Sequence, residues 1–139
     1  MLRRIREVGG SQEDLLTVYK LQIRCRTELA CPTWNGSLTN GQVKKLEHIQ
    51  KVACHVILGK RYLSYKKALQ TLNIPTLAER RKILCTKFAK KTSENKKFSS
   101  WFIRGKRQFG RSKFIQPFAR TAIYKKSSIP YLTKILNSI

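Results

Sequence analysis

Residues 40–58 read Asn-Gly-Gln-Val-Lys-Lys-Leu-Glu-His-Ile-Gln-Lys-Val-Ala-Cys-His-Val-Ile-Leu, and the spacing within them decides the fold class. Val43, Leu46, Ile49, Gln50, Ala53 and Val56 or Ile57 recur at steps of three and four residues, which predicts one apolar helical face. Lys44, Lys45, Glu47, His48, Lys51 and His55 largely fill the other faces. Thr39 stands three residues before Gln42, the spacing of a capping box, and Gly59 follows as a helix stop.

Three weaker helical patterns surround this one. Upstream, Ser11 and Asp14 match a capping box, Glu13 complements the helix dipole, and Leu15, Leu16, Tyr19 and Ile23 form an apolar face. That helix is expected to run from Ser11 to about Ala30, with Cys31-Pro32 ending it. Trp34, in the connector that follows, is read as an anchor folded back on the core, with a base-stacking surface as the alternative. Downstream, Ser64 caps a short helix through Leu72 with Ala68, Leu69 and Leu72 inward. Thr76 and Glu79 open another helix to about Lys91, whose expected apolar positions are Leu77, Ile83, Leu84, Cys85 and Phe88.

The predicted class is therefore all-α: a small helical bundle over 11–92, followed by an irregular basic carboxy-terminal tail. Residues 1–10 read as a basic lead-in, or as the end of a helix whose earlier turns are missing. Residues 93–128 keep no helical or strand period and are expected to be extended or disordered, with Trp101 and Phe102 as the candidate points of attachment. Over 129–139, Pro130 with Leu132, Ile135 and Leu136 predicts a short terminal helix.

Charge separates the two halves. The 139 residues carry a net +23; residues 1–79 hold +7 of it, and residues 80–139 hold +16 with Glu94 as their one acid. Such a chain attracts polyanions, nucleic acid first and a membrane surface second. Lysine and arginine neutralise phosphates, and interleaved aromatic rings stack on bases. Both features are densest at Lys96, Lys97, Trp101, Phe102, Arg104, Lys106, Arg107, Phe109, Arg111 and Lys113, which form the candidate nucleic-acid-binding set for RNA or DNA without sequence preference. The bland reading of the same run is a solvated tail.

Catalysis finds little footing. Phosphoryl or nucleotidyl transfer needs converging carboxylates, yet Asp14 is the one aspartate and Glu28, Glu47 and Glu79 fall in three different helical patterns. No phosphate loop or nucleophile elbow is present. His48 and His55 lie seven residues apart without a partner at ligand spacing, and Cys25, Cys31, Cys54 and Cys85 fit no zinc pattern. Neither catalytic residues, a metal nor a cofactor is assigned, and Cys54 and Cys85 are expected to be buried free thiols. No stretch has the length of a membrane span and no signal peptide is evident, which points to the nucleus or cytoplasm.

The ordered wording of the chain carries a resemblance. Ser11-Gln12-Glu13-Asp14-Leu15-Leu16-Thr17-Val18-Tyr19-Lys20 is followed by Glu28-Leu29-Ala30-Cys31-Pro32-Thr33-Trp34. Then come Leu46-Glu47-His48-Ile49-Gln50-Lys51-Val52-Ala53, Ile57-Leu58-Gly59 and Tyr65-Lys66-Lys67-Ala68-Leu69. Leu72-Asn73-Ile74-Pro75-Thr76-Leu77-Ala78-Glu79-Arg80-Arg81, Leu84-Cys85-Thr86-Lys87-Phe88-Ala89-Lys90-Lys91 and Ile129-Pro130-Tyr131-Leu132 through Asn137 complete the series. The series resembles the post-palm region of reverse transcriptases from non-LTR (LINE-like) retrotransposons, and departs from it at Thr27 and at Cys54-His55. The resemblance implies a thumb-like helical region that contacts template and primer. It also implies a partner, the upstream polymerase domain with its Tyr/Phe-x-Asp-Asp turn, which these residues lack. On this resemblance the chain is expected to be a carboxy-terminal piece, an element remnant or a truncated gene model, and not an enzyme in isolation. The rival readings are a structural helical module that braces a larger protein, and a basic membrane-surface binder suggested by Phe109, Phe114 and Phe118.

Overall fold

A computed structural model describes residues 1–105 and 113–139. The described residues form an all-α small helical bundle without a sheet; one isolated antiparallel bridge joins Arg104 and Phe114. The main elements are α1 (Leu2–Glu7), α2 (Gln12–Val18), α3 (Cys25–Glu28), α4 (Cys31–Trp34), α5 (Asn40–Leu58), α6 (Tyr65–Leu72), α7 (Leu77–Glu94), α8 (Ala122–Lys125) and α9 (Ser128–Asn137). A π-helical stretch, Tyr19–Arg24, joins α2 to α3 without a break.

Local chemistry sets the helix starts. Ser11 and Asp14 exchange side-chain and backbone hydrogen bonds at α2, and Thr39 and Gln42 do the same at α5. At α7 the Glu79 N–H donates to Thr76 Oγ1 at 3.2 Å while the Thr76 N–H donates to Glu79 Oε2 at 3.1 Å. Ser64 accepts from the Lys67 N–H at the start of α6, and Asn73 in the left-handed region ends that helix. Each such cap contributes about 1 kcal/mol. Cys31-Pro32 does more than stop a helix. Ala30 turns the chain with φ +50°, and Pro32 lies in the first turn of α4.

The sequence pattern draws its lines after residues 10, 92 and 128. Packing groups the residues into two compact units, 1–29 with 39–80 and 30–38 with 81–139. The division falls within α7, between Arg80 and Arg81.

In the first unit Leu2, Leu15, Tyr19, Ala53, Cys54, Val56, Ile57, Leu58, Ala68, Leu72 and Ile74 form the core. Within residues 1–10, read as a basic lead-in or the end of a helix, Leu2 of α1 is buried in this core. Ile49, expected inside, is 41% exposed, whereas its neighbour Gln50 is fully buried and completely paired. Tyr19 Oη donates to Gln50 Oε1 at 2.6 Å; Gln50 Nε2 donates to Tyr65 Oη at 3.0 Å and to the Pro75 carbonyl at 2.9 Å. Tyr65 Oη donates in turn to the Glu47 carboxylate, which also accepts the Leu77 N–H at 3.2 Å. Burial pushes the Tyr19 and Tyr65 phenols above their usual range, and the Glu47 carboxylate adds to the rise at Tyr65.

In the second unit Cys31, Cys85, Ala89, Phe102, Phe114, Leu132, Ile135 and Leu136 form the core, with Trp34, Leu84 and Tyr131 packed against it. Trp34 is therefore a half-buried anchor. The inward stripe of α7 here is Arg81, Cys85, Ala89 and Thr92, while Ile83 and Phe88, expected inside, are 44% and 42% exposed. The segment read as irregular supplies two core residues, Phe102 and Phe114, and α9 buries Leu132, Ile135 and Leu136 as its spacing predicts. All four cysteines are free thiols; Cys31, Cys54 and Cys85 are buried and Cys25 is exposed.

Candidate nucleic-acid interface

The second unit holds 16 lysines and arginines against Glu94. Its candidate binding surface begins where α7 ends. The Thr92 carbonyl accepts the Asn95 N–H at 3.3 Å, and Asn95 Oδ1 accepts the Lys97 N–H at 2.9 Å. The Asn95 carbonyl then takes the N–H groups of Phe98 and Ser99 at 3.0 and 2.9 Å. This tight turn leaves Lys96 and Lys97 exposed and leads into a 3-10 turn, Ser99–Trp101. Its Trp101 N–H donates to the Phe98 carbonyl at 3.0 Å, which brings the two rings together. Their centroids are 4.9 Å apart at 54°, and Phe98 and Trp101 stay 39% and 46% exposed. A half-exposed aromatic pair beside lysines offers a face to an unpaired base.

The next ring has a different role. Phe102, assigned to the binding set from sequence, is 3% exposed and packs edge-on to Phe114, centroids 6.3 Å apart. It anchors the surface from below and offers no ring to a base. Phe114 is held by Asn137 of α9, which accepts the Phe114 N–H and donates to its carbonyl, both at 2.9 Å. The Ile115 N–H donates to the Ile103 carbonyl at 2.8 Å and the Gly105 N–H to the Lys113 carbonyl at 3.1 Å. This short paired stretch fixes the backbone at Arg104 and Lys113, whose side chains are exposed. Lys113 Nζ lies 5.7 Å from the Phe114 ring centroid, a weak cation–π contact.

Of the ten residues assigned from sequence, Lys96, Lys97, Trp101, Arg104 and Lys113 are exposed on this unit and Phe102 is beneath it. Lys106, Arg107, Phe109 and Arg111 lie outside the described residues. The set assigned from sequence leaves out Phe98, one of the interleaved aromatic residues, although its spacing of three from Trp101 is that of one helical turn. It also omits Lys82, Lys87, Lys90 and Lys91, which α7 leaves exposed. Their signal was in the sequence, as the residues between the buried positions of the helix.

Among the described residues no group of three His, Cys, Asp or Glu is arranged to hold a metal ion. No helix among them is long and apolar enough to cross a membrane. No family model, curated protein or solved structure matches the chain.

Proposed function

We propose that the chain binds RNA or DNA without sequence preference through its second unit, as a region equivalent to the post-palm, thumb-like part of a non-LTR retrotransposon reverse transcriptase. The observation that carries the binding is the exposed Phe98–Trp101 pair set beside Lys96 and Lys97 on a unit with one acid. The family part rests on the ordered residue series given above. With one aspartate and no Tyr/Phe-x-Asp-Asp turn in its 139 residues, the chain makes no DNA by itself in this reading. It serves a polymerase domain elsewhere in the parent protein, in the nucleus or cytoplasm.

The test is a titration of the full chain with fluorescent single-stranded RNA and duplex DNA at several salt concentrations. Truncation after Lys97 is unsuitable, because it would remove Phe102, Phe114 and α9 from the core. Neutralising Lys96, Lys97, Arg104 and Lys113 to Gln should weaken binding to both and reduce the salt slope by up to about 3–4. Trp101→Ala should weaken single-strand binding more than duplex binding, by roughly 1–3 kcal/mol if one base stacks there. Absence of binding at low salt overturns the proposal.

One observation favours a second reading. Phe118 and Ile123 are 86% and 85% exposed near Arg120, Lys125 and Lys126, a pattern suited to an anionic membrane surface. Co-sedimentation with phosphatidylserine vesicles that is lost in Phe118→Ser, with nucleic-acid binding unchanged, would support it.

A further inference from the structure

The first unit contains a groove of about 670 Å³ whose lining includes Leu2, Ile23, Ile49, Val52 and Val56 together with the exposed Arg3 and Arg26. It owes nothing to the charge-rich second unit. Its origin is the turn of α5 that brings Gln50 inward: Ile49 and Val52 then sit outside, 41% and 39% exposed, one turn apart. Val56 continues the same row at its inner end. Two β-branched side chains left half in water along a helix, beside Ile23, form a continuous apolar strip.

We infer that this groove docks an acidic amphipathic helix of a partner protein. Three features select that occupant. The groove is floored by helical segments, so a further helix would complete a bundle by the packing that already holds the unit together. The α5 side runs from His48 to Val56, about 12 Å of helix, which matches a partner strip of a little over two turns. Arg3 and Arg26 line it with exposed side chains, His48 adds to the lining, and among the described residues no Asp or Glu lines the groove. Carboxylates flanking an apolar strip therefore meet cations, whereas a lysine-flanked helix meets like charge.

The experiment uses the intact chain and a fluorescent amphipathic peptide of about four turns, with leucines on one face and glutamates beside them. Two controls have a scrambled order of the same residues, and Lys in place of Glu. The scrambled control separates docking from the general attraction of a +23 protein for acids. The amphipathic peptide should bind at least about tenfold tighter than the scrambled one. Val52→Asp should remove that difference, and Ile49→Gln should reduce it with the melting temperature preserved, since both positions are partly exposed. Arg3→Glu with Arg26→Glu should shift preference toward the Lys peptide. Equal binding of ordered and scrambled peptides, or indifference to Val52→Asp and Ile49→Gln, overturns the inference. So does occupation of the groove by a second copy of the chain, seen as a dimer that Val52→Asp dissociates.

Discussion

Arg6 closes the C-terminus of α5 over Gly59: its guanidinium donates to the Val56 carbonyl at 2.9 Å, and a Cβ at residue 59 would lie 1.9 Å from Arg6 Nη2. The cation therefore meets the negative end of the longest helix and satisfies one of its last carbonyls. Gly59 has φ +55°, so a side chain there faces both backbone strain and the guanidinium. Gly59→Ala should destabilise the first unit by about 1–3 kcal/mol. Arg6→Ala should remove the collision and leave the backbone strain, so the double mutant should cost less than the two single losses added. Urea denaturation of the four proteins checks this; strict additivity would show that the guanidinium does not obstruct the site.

The middle of α5 provides a sharper contrast. Ala53 is 4% exposed among Leu2, Tyr19 and Leu72, whereas His48 lies at the surface. Ala53→Asp buries a carboxylate without a partner and should unfold the first unit, a loss of more than about 3 kcal/mol. His48→Ala should stay within about 0.5 kcal/mol of the parent. Thermal melts that rank the two in the reverse order would mean that α5 is rotated from the orientation described.

Those same residues mark what the sequence can disclose. The Ser11–Asp14, Thr39–Gln42 and Thr76–Glu79 pairs are three residues apart, so helix starts are legible from local chemistry alone. A period of 3.6 residues locates a face but not its centre, and of two neighbours predicted on that face Gln50 is buried and Ile49 is left outside for that reason. Only the spatial meeting of Tyr19, Tyr65 and Pro75 gives the amide its partners. On α7 the apolar residues Ile83 and Phe88 drew the inward face away from Arg81. Phe102 and Phe114 follow no period, because a single anchor needs a distant partner such as Asn137 to hold it. For the candidate interface, charge and aromatic content were readable, but which ring is anchor and which is surface was not.

Alkali should loosen the first unit. Burial pushes the Cys54 thiol from 9.0 up to about 11. The folded pKa exceeds the unfolded one, so this contribution is complete below pH 9 and is lost as pH rises from 9 through about 11. Tyr19 and Tyr65 are shifted in the same direction and extend the loss to higher pH. The melting temperature should therefore fall across that window, and Cys54→Ala should flatten the fall after allowing for its own constant cost. An unchanged slope in Cys54→Ala would show that the thiol does not titrate with unfolding.

The core of the second unit contains a cation, and no carboxylate among the described residues pairs with it. Arg81 is 1% exposed; its Nε donates to Asn35 Oδ1 at 3.0 Å, and its Nη1 is buried without a hydrogen-bond partner. Asn35 in turn donates through Nδ2 to Tyr131 Oη at 2.6 Å, so one amide ties α7 to α9. The small residue beside it permits this approach, since a Cβ at Gly36 would lie 2.6 Å from Tyr131 Cγ. Removing the amide and removing the cation should have opposite consequences. Asn35→Ala leaves the guanidinium and the Tyr131 hydroxyl without their partner and should cost about 1–3 kcal/mol. Arg81→Met deletes the buried charge while keeping most of the side-chain volume, and should be neutral or stabilising by up to a few kcal/mol. In the Arg81→Met background the cost of Asn35→Ala should shrink, because only the tyrosine hydroxyl then loses a bond. Denaturant titration of the four proteins reads all three values. A large loss in Arg81→Met would show instead that the guanidinium is fully satisfied in solution.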